Sequence, residues 1–462
     1  MRCLLFACLL LSSLPSLALD RFQVEGYTLP NGLQLLLKPA TERGHVAIRL
    51  VVGVGIDDFN CADKELPHLL EHLLFSGIDA TGEGGLEERM QALGGEWNAF
   101  TNNADTTFVI EAPAKNQRKV LDLLLALLTQ TRIDDNAISA AKQVVQREDG
   151  GHYSHLQRWL DRQDLGHTAS NQLAVELGLK CPERPQVDQL TGEQLEAVRA
   201  AWYAPNNMTL IIVGDLERLL PAYLERAWGA LEAVDPTNHP PLPEISASAA
   251  HERTLSKGLV GGGAKLHWLV PEPVLDDQHD QTYDLLKDYL DWALYRQMRL
   301  AHGLSYGPSA ERQLFGGVGF MSLHADLERD DVPKARQVLD ELKTELLRNG
   351  LDADTFNRLK QAAIARQAWA VQGNSALADY YWSALSDYQD GRFANPTRQL
   401  QNVTLAQANS AVRELLQQPG YLRIEQPLMS DEQFVWSIAA LLGLIVLLLV
   451  AWRRYRTTRS HL

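Results

Sequence analysis

An uncharged apolar stretch near the end of the chain restricts the fold more than any other feature. Residues 434–452 are 19 consecutive positions without a charged side chain, and only Ser437 and Gly443 interrupt the apolar run. As a helix, this stretch can cross about 30 Å of hydrocarbon. Arg453, Arg454 and Arg456 follow at once, and such positive charge stays on the cytoplasmic side of a membrane. The pattern predicts a transmembrane helix over 434–452 and a cytoplasmic tail over 453–462.

The beginning of the chain predicts the same orientation independently. Arg2 is followed by the apolar run Leu4 to Leu11 and by Ser16-Leu17-Ala18, which is typical of a secretory signal peptide cleaved after Ala18. We therefore expect residues 1–18 to be removed and the body to be exported. A signal together with one C-terminal anchor favours the inner membrane of a Gram-negative bacterium, with the body in the periplasm.

The body is strongly acidic. The whole chain has 462 residues and a formal charge of −15, although residues 1–18 and 434–462 contain basic residues and no acids. Such a body repels phosphate backbones, so nucleic acid is not an expected partner. Of the four cysteines, Cys61 and Cys181 remain after signal cleavage. They can pair in an oxidising compartment or stay as two buried thiols, and we favour slightly the absence of a disulfide.

Two α+β halves of about 200 residues each are predicted. The expected domains are 19–235 and 251–430, joined by a proline-rich linker over 236–250. Strands are predicted over 46–54, 107–112, 208–213 and 265–270, with a strand pair over 316–325; helices are predicted over 86–93, 120–129, 137–148, 282–301 and 332–348. The order of elements repeats in the second half, which indicates a duplication.

The most informative motif is Pro67-His68-Leu69-Leu70-Glu71-His72. Proline suits the first helical position, and positions i, i+3 and i+4 of a helix share a face. His68, Glu71 and His72 therefore project together. Two imidazoles can occupy adjacent corners of a zinc tetrahedron, with a carboxylate beside them to handle water. This is the inverted form of the zinc-peptidase motif.

The alternative is a pair of histidines on a solvated helix face. Leucines surround the three polar residues, and burial of polar groups without a shared partner costs several kcal/mol, so a metal ion is the better interpretation. A catalytic zinc also needs a third protein ligand. Glu148 lies in the last turn of the predicted helix 137–148, where the helix dipole disfavours an acid unless a cation compensates it. The neighbouring Asp149 remains the second candidate from this reasoning.

Several segments carry a resemblance to a known family: Asn31 to Leu33, Pro67 to Gly77, Gly94 to Thr101, Val144 to Glu148, and Tyr203 to Asp215. They resemble the insulinase/pitrilysin family of inverted-motif zinc peptidases, which includes the mitochondrial processing peptidases, over roughly residues 22–425. The resemblance implies two homologous α/β-sandwich domains, each an antiparallel sheet covered by helices. It also implies one Zn²⁺ per chain bound by His68, His72 and Glu148, and it favours Glu148 over Asp149.

The resemblance further implies substrate contacts. The strand around Gly95 to Thr101 is similar to the family's edge for binding an extended peptide, which gives Asn98 a direct role, although a plain edge strand has the same pattern. Arg299 and Tyr306 resemble the family's Arg and Tyr that reach the substrate; without the resemblance they would belong to a helix end. The family often has a second Glu where this chain has Ala141, and its usual G-x-R-x-E segment is replaced by Gly55 to Phe59.

The function expected from these residues is that of a membrane-anchored zinc metallopeptidase with Glu71 as the general base for water. The expected substrates are peptides or unfolded segments. The family's chamber uses four domains and this chain supplies two, so a homodimer or a heterodimer with a related chain is expected. The alternatives are a catalytically silent scaffold or assembly partner, and a metal-dependent hydrolase of another bond.

Overall fold

The computed structural model describes residues 20–40, 42–76, 83–148, 168–181, 187–241, 251–273, 277–315 and 317–459. The predicted signal peptide 1–18, Asp149 and most of the predicted linker 236–250 lie outside these ranges. The chain divides into two compact units. The first comprises Met1–Gly151, Pro185–Pro240 and Arg366–Thr397, and the second comprises His152–Arg184, Pro241–Ala365 and Arg398–Leu462.

The described residues contain eleven strands and fourteen α-helices. The strands are β1 (Glu25–Thr28), β2 (Gln34–Pro39), β3 (His45–Val52), β4 (Glu96–Thr101), β5 (Thr106–Pro113), β6 (Met208–Gly214), β7 (His251–Ser256), β8 (Gly263–Pro271), β9 (Ser309–Phe315), β10 (Val318–Glu328) and β11 (Tyr421–Gln426). The helices are α1 (Leu66–Ser76), α2 (Glu83–Ala92), α3 (Gln117–Gln130), α4 (Asp135–Glu148), α5 (Ala169–Glu176), α6 (Gly192–Trp202), α7 (Leu220–Ala227), α8 (Asp277–Leu294), α9 (Val332–Asn349), α10 (Ala353–Ala370), α11 (Asn374–Ser383), α12 (Pro396–Asn402), α13 (Leu405–Gln417) and α14 (Asp431–Arg459).

The first unit is built on a six-stranded sheet in the order β1-β2-β6-β3-β5-β4. All neighbouring pairs are antiparallel except β2 and β6, which are parallel. The central strands β3 and β6 are buried on both faces, and apart from His45, Arg49 and Thr209 their side chains are apolar, as is typical of strands covered on both sides. Helices α1, α3, α4, α6 and α7 pack on one face, and α11 packs on the other. At the β4 edge, the sheet therefore carries α1 on one side.

The second unit repeats this topology with a five-stranded sheet in the order β7-β11-β8-β10-β9. In chain order this is the arrangement of β2-β6-β3-β5-β4, and the pair β7 and β11 is again parallel. Helices α8, α9 and α13 cover one face, and α5 covers the other. The predicted fold class, two homologous sandwiches of sheet and helices, is confirmed, with one parallel pair in each otherwise antiparallel sheet.

Each unit takes one helix from the other half of the sequence. Helix α5 precedes the predicted linker but belongs to the second unit, and α11 belongs to the first unit although it follows the linker. The predicted strand pair over 316–325 is shifted, because the hairpin turn between β9 and β10 lies where the pair was expected to begin. The predicted helix over 282–301 ends as a π-helix from Tyr295 to Ala301.

The expectation of free thiols is wrong. Cys61 and Cys181 are both disulfide-bonded. Sequence alone did not decide this point, because disulfide formation depends on how close the two sulfur atoms come in the folded chain and on the compartment.

Helix α14 follows the second sheet almost directly. Leu428 N donates to Gly258 O at 3.1 Å and Met429 N donates to Leu259 O at 3.0 Å, while Arg329 Nη1 donates to Pro427 O at 2.9 Å. A capping box between Ser430 and Gln433 then starts the helix. Residues Asp431–Arg453 of α14 are long and apolar enough to cross a membrane, and in the described part of the chain they are not buried. The predicted segment 434–452 lies within this helix.

A buried arginine joins α11 to the first sheet. The side chain of Arg49 on β3 is 1% exposed. Its Nε lies 2.7 Å from Asp379 Oδ1 of α11, and its Nη2 lies 2.7 Å from Glu111 Oε1 of β5. A buried guanidinium is tolerated only when such partners satisfy it. The ion pairs therefore hold α11, which comes from a distant part of the chain, on this face of the sheet.

We expect Arg49→Met to lower the free energy of unfolding of the first unit by about 1–3 kcal/mol, because Glu111 and Asp379 lose a charged hydrogen-bond donor. Chemical denaturation of the detergent-solubilised protein measures this change. The control is Arg118→Met, which breaks the more exposed pair with Glu217 and should cost at most about 1 kcal/mol. Equal losses in the two variants would show that the Arg49 network does not stabilise the unit.

Candidate metal centre

Helix α1 has one apolar face, which packs in the core, and one polar face, which carries the histidines. Leu66, Leu69, Leu70, Leu73 and Leu74 are all buried in the core of the first unit. His68 and His72 lie on the opposite face with side chains 23% and 15% exposed. The packing of the leucines therefore determines where the imidazoles point.

Helix α4 brings the third group to this face. Ile138, Ala141 and Val145 are buried in the same core, and α4 packs against α1. The ammonium group of Lys142 donates to the backbone oxygens of Asp188 and Leu190 at 3.0 and 2.7 Å, which anchors the helix. Glu148, the last residue of α4, is thereby held against α1.

The ligand atoms converge at one point. Glu148 Oε2 lies 3.2 Å from His68 Nε2 and 3.2 Å from His72 Nε2, and the two nitrogens are 3.3 Å apart. Tetrahedral zinc with bonds of about 2.0–2.1 Å places its ligand atoms about 3.3 Å from one another. The three atoms therefore fit one zinc ion without rearrangement. Among the described residues, His68, His72 and Glu148 are the one group of metal-type ligands this close together.

The charge around the imidazoles favours a cation. Burial alone lowers the pKa of His68, but the hydrogen bond with Glu65 and the negative charges of Glu71, Glu65 and Glu148 outweigh it, so the pKa is raised. Carboxylates thus surround this imidazole on several sides. The side chain of Glu148 is half-exposed, which leaves an open side where a further ligand can approach.

Glu71 is separate from the three convergent atoms. It is buried, with 7% of its surface exposed, and its Oε2 accepts a hydrogen bond of 2.8 Å from the Thr101 hydroxyl on β4. Burial raises the pKa of Glu71, while the Thr101 hydrogen bond and the neighbouring histidines oppose the rise. A buried carboxylate whose pKa is raised in this way can act as a general base.

Thr101 is a residue that sequence reasoning missed. It lies on β4, three positions after Asn98, with its side chain on the face of the strand that meets α1. A threonine in a strand is ordinarily a sign of β-propensity alone. The period of two along β4 predicts which face it occupies, but the partner of its hydroxyl depends on how α1 packs on the sheet. Tyr203 was also missed as a neighbour: burial and the charge of Glu71 raise the pKa of this phenol, which stays protonated.

The remaining predicted residues lie elsewhere. Asn98 is exposed on β4, an edge strand that pairs only with β5 among the described residues, and its Oδ1 accepts a hydrogen bond from Ala99 N at 2.9 Å. Arg299 and Tyr306 belong to the second unit, where Arg299 Nη1 donates to Tyr306 O at 2.8 Å. The guanidinium also stacks on the Tyr306 ring at 4.1 Å. Gly303 ends this segment with φ of +65°, which is the helix-end pattern expected from sequence.

Family models match both halves of the chain. Residues 36–183 match the model described as Insulinase (Peptidase family M16), and residues 189–363 match the model described as Peptidase M16 inactive domain. An uncharacterized zinc protease of Bacillus subtilis, YmxG, is 19% identical over 73% of this chain and 82% of its own length. A probable mitochondrial-processing peptidase subunit beta of Arabidopsis thaliana is 33% identical, over 26% of this chain and 23% of its own.

Solved structures share the fold. A protease from Helicobacter pylori superimposes with a TM-score of 0.71 at 16% identity, over 88% of this chain and all of that chain. The periplasmic protease PqqL from Escherichia coli has a TM-score of 0.68 at 17% identity, over 87% of this chain but 47% of PqqL. This chain covers 92% of a separate structure of the first half of PqqL.

We expect the purified protein to bind one zinc ion per chain, and Glu148→Gln to weaken this binding by more than the ~10–100-fold that is typical of changes outside the ligand set. Chelator competition measures the affinity. Glu96→Gln, on the exposed surface of β4, is the control and should bind zinc like the wild type. Unchanged affinity in Glu148→Gln would remove Glu148 from the ligand set.

Proposed function

Because the chain belongs to the insulinase family of peptidases, we propose that it is a membrane-anchored zinc metallopeptidase that hydrolyses peptide bonds in peptides or unfolded protein segments. The observation that carries the proposal is the convergence of His68 and His72 of α1 with Glu148 of α4, whose ligand atoms lie within 3.3 Å of one another. The buried Glu71 lies on α1 as well.

His68, His72 and Glu148 hold the metal in this proposal. A zinc ion bound there acts as a Lewis acid that polarises the peptide carbonyl and makes water more acidic. The half-exposed Glu148 leaves one side of the site open, which a catalytic site needs and a closed structural site lacks.

Glu71 moves the proton. Its Oε2 is held by the Thr101 hydroxyl, so Oε1 is the oxygen that accepts a proton from the attacking water. The water oxygen forms its bond to the carbonyl carbon, the C–N bond breaks, and Glu71 returns the proton to the departing amine nitrogen. Burial supports this role, since a carboxylate with a raised pKa both accepts and releases a proton readily.

The substrate binds as an extended strand along β4 in this proposal. Strand addition at a sheet edge uses backbone hydrogen bonds and therefore suits unfolded segments of varied sequence. Asn98 offers its amide on the same edge. Arg299 and Tyr306 are further substrate contacts in this proposal, and Tyr306 is 84% exposed.

The proposed location is the bacterial inner membrane, with the body in the periplasm and α14 as a single anchor. Helix α14 has the length and composition of a membrane span. The disulfide-bonded state of Cys61 and Cys181 suits an oxidising compartment. The similar PqqL is described as a periplasmic protease.

A dimer is the proposed assembly. The chain covers about half of the single-chain protease PqqL and nearly all of its first half. Two copies of this chain, or one copy with a related chain, therefore match the length of that longer protein. The mitochondrial relatives are likewise described as subunits.

We expect Glu71→Gln to lower kcat on a quenched peptide library by about 10²–10⁴-fold, the range for loss of a general base, while zinc content stays at the wild-type level. Glu225→Gln, an exposed substitution on α7, should leave both unchanged. Equal turnover in Glu71→Gln and wild type would remove Glu71 from the chemistry. A zinc-loaded wild type that cleaves no peptide would favour the scaffold function instead.

We expect Thr101→Val to move the acid limb of the kcat/KM profile to higher pH. The Thr101 hydrogen bond lowers the pKa of Glu71, so its removal raises that pKa further, and Glu71 acts as a base only above its pKa. The control is Thr129→Val on α3, whose hydroxyl bonds only to the Leu125 backbone oxygen of its own helix. A limb that stays in place, or moves to lower pH, would contradict the role given to Thr101.

A further inference from the structure

We propose that Glu65 is a positioning residue for the metal centre, which fixes the tautomer and the ring orientation of His68. This inference rests on the proposed zinc site and adds to it a carboxylate outside the ligand set. It starts from the two nitrogens of one imidazole, which face different groups.

The ring of His68 has a distinct partner on each side. Its Nε2 lies 3.2 Å from Glu148 Oε2 and 3.3 Å from His72 Nε2, and its Nδ1 lies 3.3 Å from Glu65 Oε2. A neutral imidazole has one N–H donor and one lone-pair acceptor. A metal takes the lone pair of Nε2, so Nδ1 carries the proton and donates it to Glu65.

The backbone holds Glu65 in place. It directly precedes α1, and its carbonyl oxygen accepts the first helical hydrogen bond, from Leu69 N at 2.9 Å. Its side chain lies three residues before His68, the spacing at which helical side chains meet. A negative charge at a helix N-terminus is also favoured by the helix dipole. The carboxylate is thus built into the start of the same helix that carries both imidazoles.

Burial makes this carboxylate hard to explain as a surface group. Glu65 is 8% exposed and Lys64 is 6% exposed, and Lys64 Nζ lies 3.6 Å from Glu65 Oε1. Each Glu65 oxygen therefore faces one partner, Lys64 or His68. A buried ion pair of this kind is often no more stable than an apolar pair of the same volume, so stability alone does not account for it.

Helix α4 provides no alternative carboxylate at its packed face. Ala141, two turns before Glu148, is buried in the apolar core and has no polar side-chain atom. Metal-binding histidines almost always donate their second ring N–H to a carboxylate, a carbonyl or water, and loss of that partner typically costs ~10–100-fold in metal affinity or activity. Glu65 occupies this position for His68.

The test compares Glu65→Ala, Glu65→Gln and Glu65→Asp in the full-length protein. We expect zinc affinity, measured by chelator competition, to fall ~10–100-fold in Glu65→Ala. We expect smaller losses in Glu65→Gln, whose amide oxygen still accepts from Nδ1, and at least partial recovery in Glu65→Asp. Glu88→Gln, an exposed acid on α2, is the matched control and should bind like wild type.

A second readout separates positioning from stability. In cobalt-substituted protein, the visible absorption bands report the ligand field, so they should change in the Ala and Gln variants and not in Glu88→Gln. In the zinc enzyme, kcat should fall while KM stays near its wild-type value. If Glu65→Ala does not fold, the isosteric Glu65→Gln decides the question.

Two outcomes are distinguishable. Wild-type protein that binds zinc, with Glu65 variants that match it within twofold in affinity and share its cobalt spectrum, overturns the role of Glu65 and leaves the proposed function intact. Wild-type protein that takes up neither zinc nor cobalt overturns the proposed function and this inference together.

Discussion

The packing of α4 on α1 is the contact on which the site depends. Glu148 is 76 residues away from His72 along the chain, and its oxygen reaches both imidazoles only because Ile138, Ala141 and Val145 share a core with the leucines of α1. The apolar stripes of two helices therefore determine the distance between three polar atoms. The polar groups add little to this packing.

Features that depend on residues close together in the sequence could be predicted, and features that depend on contacts between distant elements could not. The shared face of His68, Glu71 and His72 follows from helical spacing alone. Local apolar periods predict the strands β3, β5, β6 and β8 and the helices α2, α3, α4, α8 and α9. For the third ligand, local reasoning left Glu148 and Asp149 as candidates and the resemblance favoured Glu148, because no local pattern reports a contact between distant helices. Thr101 and Glu65 were missed for a related reason. Each is an ordinary residue in its own element, and its role exists only through the side chain that it meets.

The same limit explains the positions of α5 and α11. Both helices have unremarkable local patterns. However, α5 comes from the first half of the sequence and covers the sheet of the second unit, whereas α11 comes from the second half and covers the sheet of the first unit. In the case of α11, the signal was a charged residue in the middle of an apolar strand. Arg49 interrupts the run of β3, and its buried guanidinium requires acidic partners. A charge at a core position of a strand thus indicates that another element must arrive there, although it does not identify that element.

The repeated topology shows two ways of balancing acidic groups at one place in the fold. In each unit a helix follows the central strand along the chain and contacts the edge strand. In the first unit α1 follows β3 and contacts β4, and in the second α8 follows β8 and contacts β9. In the first unit the acids at this place are paired with imidazoles that fit a metal ion. In the second unit Asp280 and Asp284 of α8, with Glu272, surround Arg312 of β9 at 2.5–2.9 Å. A guanidinium supplied by the chain itself satisfies those carboxylates permanently, whereas under the proposed function the first unit binds its cation from solution. Under the proposed function, the second unit has a structural role, because Arg312 is its permanent cation. The first unit carries out the chemistry, because its cation is an exchangeable metal ion.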